Sequence, residues 1–194
     1  MLSNNEAFFE SWVHVPHKVL GRELKPLSIL HLIWLYNAES PLVITNKNVT
    51  MEDLEIAVLI CSNCTNEGIL AALNAKENGI RLRISNYFWR RQNRRKRSLQ
   101  LELRRFLTYN DDFMALPKFM PREGESDEKL PWLLVHMANL IKATGWDEQE
   151  VLNMPIGKVL WYNLAFGYLE TGETRVMSDR EKLAADAIKE LYGS

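Results

Sequence analysis

Six basic residues stand within eight positions, Arg90, Arg91, Arg94, Arg95, Lys96 and Arg97, and Tyr87, Phe88 and Trp89 come directly before them. Guanidinium and ammonium groups hold phosphates, and aromatic rings stack on bases, so this combination suits single-stranded nucleic acid. The same charges suit an acidic protein surface. On a helix, steps of one, three and four residues spread them over more than one face, and a solvated helix is the plainest reading. Residues 81–105 hold ten Lys/Arg against one acid, Glu102, a net of +9, while the whole chain is at −1 and the rest therefore at −10. Such asymmetry marks an interaction face. A total near zero argues against nucleic acid as its main partner.

The other chemically competent residues are fewer. Cys61 and Cys64 have the C-x₂-C spacing of a zinc half-site or a redox pair. A second half would have to come from His14 and His17, which lie closer together than the histidines of structural zinc sites. Packing cysteines at the end of an apolar helix are the expected case, with no metal bound. His31 and His136 sit in apolar helical stretches, where hydrogen-bonded core histidines are usual. Asp147, Glu148 and Glu150 read as first-turn helix acids. Glycine-rich phosphate loops, the nucleophile elbow and the H-E-x-x-H motif are all missing from the sequence. No catalytic residue, cofactor or enzymatic activity is expected.

The elements that position these groups are helical. Segment 155–172 is the expected centre: Pro155 suits a helix start and Gly172 a helix end, and Ile156, Val159, Leu160, Trp161, Tyr162, Leu164, Phe166, Tyr168 and Leu169 point nearly all round. It reads as a buried post, with Trp161 packed between the helix opened by Pro131 and one opened by Ser178. Residues 4–12 predict a short helix presenting Phe8, Phe9 and Trp12. Gly21 marks a tight turn between two very short strands, the one β element expected. Helices follow from Ser28 to Tyr36, after Thr50, over 66–78, and in the later part of 87–109 with Leu99, Leu103, Phe106 and Leu107 apolar. Ser178 and Glu181 form a capping box for a last helix.

The fold class is therefore all-α, a compact multi-helix bundle with one very short hairpin near the N-terminus. A Pro- and acid-bearing stretch, 111–129, divides an N-terminal helical region, 1–110, from a C-terminal helical module, 130–194. Apolar content of 46% and charged content of 25% are those of a globular chain long enough to bury a core. No signal peptide and no run of about 20 apolar residues is seen, so the expected setting is the cytoplasm, with both thiols reduced and no membrane partner.

Two stretches together resemble a known group. Arg22-Glu23-Leu24-Lys25-Pro26-Leu27-Ser28 with Ser40-Pro41-Leu42 and Met51-Glu52-Asp53-Leu54 is similar to the N-terminal half of small proteins from phage and prophage tail-gene clusters. Leu130-Pro131-Trp132, Gly145-Trp146 and the run from Met154 through Pro155, Ile156, Gly157 and Lys158 to Tyr162 resemble their later half. The resemblance covers about two thirds of the chain and implies a helical, non-enzymatic tail-assembly chaperone that shields the tape-measure protein. It carries over no catalytic residue, and the Arg-rich segment falls outside it. A nucleic-acid-binding helical protein and a structural neck or tail subunit are the alternatives. A homo-oligomer is compatible with each.

Overall fold

The structure, a computed structural model, describes residues 8–9, 12–13, 15–44, 48–77, 99–114, 130–172, 176–177, 181 and 183–184. Its elements are β1 (His17–Val19), β2 (Arg22–Leu24), α1 (Ile29–Asn37), α2 (Met51–Cys61), α3 (Asn66–Glu77), α4 (Leu99–Phe113), α5 (Trp132–Thr144), α6 (Glu148–Asn153) and α7 (Ile156–Thr171). The all-α class with one N-terminal hairpin is as expected. Contacts divide the chain into two units, Val15–Asp111 and a second made of Met1–His14 with Asp112–Ser194.

In the first unit, β1 and β2 pair antiparallel with Val19 opposite Arg22, joined by Leu20 and Gly21 at φ 49° and 81°. Positive φ at both central residues is the turn class that matches strand twist. Gly21 adopts it freely, but a leucine there costs on the order of 1–3 kcal/mol. Burial of the Leu20 side chain and a hydrogen bond to its N–H offset that cost.

Each following helix starts where a side chain can take an orphan N–H. The Ser28 hydroxyl accepts from His31 N–H, and the His31 ring accepts in return from Ser28 N–H. Thr50 and Asp53 do the same for α2. α1 buries Ile29, Leu30, His31, Leu32 and Leu35, and α2 buries Leu54 and the run from Ala57 to Cys61. On α4 the buried positions are Glu102, Phe106, Tyr109 and Phe113, a single stripe at steps of four, three and four. The expected apolar face is thus rotated: Leu107 and Leu101 are exposed, and a carboxylate takes the core position. The helix also continues to Phe113, beyond the expected end at Tyr109.

In the second unit, Pro131 and Pro155 are N-caps rather than first helical residues, one position earlier than expected. Gly145 and Gly172 end α5 and α7 in the left-handed conformation, at φ 71° in both cases. α5 buries Leu133, Met137 and Leu140, again one stripe, and pairs with α7. α7 is not the fully buried post its composition suggests. Its buried residues, Ile156, Gly157, Val159 and Leu160, all belong to the first two turns. Tyr168 and Leu169, towards its end, are 54% and 75% exposed. An apolar circumference states what a helix can bury; neighbours decide how much it does.

Trp161 is likewise only partly buried, against the expectation of a core tryptophan. Of the expected last helix, Glu181, Leu183 and Ala184 are helical and exposed, and its other residues lie outside the described ones. Among the described residues no helix is long and apolar enough to cross a membrane.

Candidate interaction site

Among the described residues of the first unit, His31, Glu102, Tyr109 and Cys61 are held by its architecture. Ser28 N–H donates to His31 Nδ1 at 3.1 Å, so Nε2 carries the proton and donates to the Asn63 carbonyl at 2.7 Å. Burial lowers the imidazole pKa, opposed by the Asn63 and Pro26 carbonyls, which favour the charged ring as acceptors. His31 is a neutral strut between the start of α1 and the loop after α2.

Glu102 is fully buried, and its carboxylate accepts from the Leu20 N–H and from Arg105 Nη1, both at 2.6 Å. The one acid of the basic stretch therefore fixes the hairpin turn. Tyr109 is also fully buried, and its hydroxyl donates to the Lys25 carbonyl at 2.9 Å. Burial pushes the Cys61 thiol up to about 12, partly opposed by a hydrogen bond with Tyr109. Burial, with Cys61 adding to it, also raises the Tyr109 phenol. A thiol so held is neither a nucleophile nor a ready ligand.

Both thiols of the C-x₂-C pair are free, Cys61 buried and Cys64 exposed. Among the described residues no three His, Cys, Asp or Glu side chains gather as a metal would require. Asp147 and Glu150 form the capping box of α6. Arg90, Arg91, Arg94, Arg95, Lys96 and Arg97, with Tyr87, Phe88 and Trp89, lie outside the described residues, as does His14.

The second unit holds what inspection of charge and motif misses, a continuous aromatic surface. Lys158, Trp161, Tyr162 and Phe166 follow one another at steps of three, one and four along α7. The bend after α5 delivers a further ring: Gly145 reverses the chain, Thr144 Oγ1 accepts from Trp146 N–H, and the Trp146 ring meets Tyr162 edge-on at 5.3 Å. Tyr162 stacks on Phe166 at 6.3 Å. Phe8 reaches Trp161 at 5.5 Å and Trp12 reaches Tyr162 at 5.5 Å, while Phe8 and Trp12 lie 4.7 Å apart. Lys158 Nζ sits 5.2 Å from the Trp12 ring centre, a cation–π contact.

α7 is tied to α5 by Asn163, whose side chain donates to the His136 and Val159 carbonyls. Beside it, Asn139, Lys142, Asn163, Phe166 and Glu170 line an open cleft of about 210 Å³. The Trp161 ring N–H is buried and has no hydrogen-bond partner among the described residues. The legible signal for this surface was the Phe8 and Trp12 spacing of four alongside the Trp161-Tyr162 pair. No periodicity in one segment could show that the two meet.

Compared with known proteins, the chain matches no family model, no curated protein and no solved structure.

Proposed function

We propose that the protein is a non-enzymatic morphogenesis factor that binds another protein during phage tail assembly, as a chaperone of the tape-measure protein. The observation that carries this reading is the set of large apolar side chains left open on α5 and α7: Leu130, Leu134 and Val135 on or beside the one, Tyr168 and Leu169 on the other. Open apolar groups gain free energy when a partner covers them, about 1.5–3 kcal/mol for each large side chain fully buried. Among the described residues, His31, Glu102 and Tyr109 of the first unit each hold a backbone group, a structural use in keeping with a binding protein. A helical partner of the kind implied by the resemblance, long and with apolar faces to be shielded, suits this surface.

The test is co-expression with the tape-measure protein encoded in the same gene cluster, followed by capture. Leu134→Glu/Leu169→Glu should leave the melting transition within about 0.5 kcal/mol per site, as surface changes do. It should lower capture at least tenfold. Undiminished capture by the folded variant overturns the reading. So does a wild-type protein that ignores the partner and binds mixed-sequence DNA or RNA with affinity falling steeply as salt rises, which favours residues 90–97 as a nucleic-acid face.

A further inference from the structure

We propose that the segment carrying Phe8 and Trp12 exchanges between two copies of the chain, each copy's arm docking on the other's α7. The inference is independent of the tape-measure reading. The described part of the arm is a helical turn, with Val13 N–H donating to the Phe9 carbonyl at 3.0 Å. Phe8 and Trp12, four apart, form its inner face and meet Trp161, Tyr162 and Lys158. Phe9 and Val13, also four apart, form its outer face and are 63% and 65% exposed. Among its described residues the arm thus carries apolar groups on two faces, and the Phe9 and Val13 face is left open.

The occupant of the α7 surface is known from the contact itself: it is this arm, so a second copy's arm fits with the same rings and the same cation–π contact. The contact is also a distant one along the chain. Between Trp12 and Lys158 the polypeptide passes through the whole of the first unit and residues 112–157. Tethering through a short flexible link gives an effective concentration on the order of mM. A second copy competes as protein concentration approaches it.

The hinge favours opening. Val15 and Pro16 are exposed and outside regular structure. Pro16 fixes its own φ and biases Val15 towards extended backbone, so this link is suited to projecting the arm away from β1. Exchange of an identical element costs no native contact, which makes it a low-cost route to a dimer.

Light scattering on the full chain from about 1 μM to about 1 mM, the range set by that effective concentration, measures the mass. The wild type should rise from one chain mass, 22.6 kDa, towards twice that value. The arm variant Phe8→Ala/Trp12→Ala and the surface variant Trp161→Ala/Tyr162→Ala should each stay at one chain mass. Mixed in equal amounts they should form a mixed dimer, because one intact arm then meets one intact surface. Circular dichroism checks that both variants are folded; Tyr162→Ala alone replaces the surface variant if the double change unfolds it. A wild type monomeric across the range overturns the proposal, as does dimerisation of the arm variant alone or failure of the folded variants to pair.

Discussion

The two units hold together by different means. The first is closed by buried polar groups, each satisfied: His31 between Ser28 and Asn63, Glu102 on the Leu20 N–H, Tyr109 on the Lys25 carbonyl. The second is closed mainly by short apolar stripes and ring-to-ring contacts, with Asn163 joining α7 to the His136 carbonyl of α5, and it leaves the Trp161 N–H buried without a partner among the described residues. A buried hydrogen bond has one geometry that satisfies it and many that do not, so the first unit is specified tightly. Ring edges and apolar side chains accept many partners at similar energies. The lesson is that buried bonds of one geometry fix the first unit, while ring and apolar contacts leave the second more ways to pack.

The strongest way to break this comparison is to remove one aromatic from each unit. Tyr109→Ala should cost about 3–5 kcal/mol, the range for a fully buried aromatic, read from urea unfolding. Trp161→Ala, from a partly buried position, should cost about half of that. Equal losses would show the second unit to be as closed as the first.

Next in size is the carboxylate at the hairpin. Glu102→Ala should cost about 1.5–3 kcal/mol, because a charge-assisted bond is lost and the Leu20 N–H is left buried. Glu102→Gln keeps an acceptor oxygen and should recover part of the loss. Amide exchange should locate both effects in β1, β2 and α4, with α5 and α7 unmoved. Loss of protection spread evenly over both units would erase the distinction.

Near neutrality the smallest effects come with pH. The folded-state pKa of His31 lies below 6.5, so under pH 6.5 the unfolded chain takes up a proton that the folded chain refuses. Stability is full above that value and falls as pH drops, by at most about 1.4 kcal/mol per unit. His31→Gln, which cannot titrate, should flatten the slope. At the other end, the Cys61 thiol ionises near 9 unfolded and about 12 folded, so stability falls as pH rises through that window. Cys61→Ala should lessen this slope, the buried Tyr109 phenol, raised in the same direction, supplying the rest. Urea midpoints measured across both windows sharpen the assignment to the first unit; flat midpoints in the wild type would refute it.

Most of the framework was legible without coordinates. Ser28, Thr50 and Asp147 start helices because their side-chain oxygens satisfy backbone donors a few residues on, a local requirement that any reader of the chain can apply. Gly21, Gly145 and Gly172 mark positive-φ positions for the same local reason. What could not be read was decided by contacts distant in the chain. Leu99, Leu103, Phe106 and Leu107 proposed one face of α4, yet the core holds Glu102, because the acceptor for Leu20 stands 82 residues away from it. The apolar circumference of α7 promised burial on all sides, yet its later turns are open, since composition does not supply neighbours.

By itself, then, the sequence determined the helical class, the hairpin, and the starts and stops of the helices, all of which depend on backbone donors, acceptors and φ values within a few residues. Only tertiary structure decided that a lone acid anchors a turn, that one thiol of a C-x₂-C pair is buried and the other exposed, and that Phe8 and Trp12 close on Trp161 and Tyr162. Those outcomes depend on which side chains from remote segments share a dielectric environment and a surface, and no local spacing encodes that.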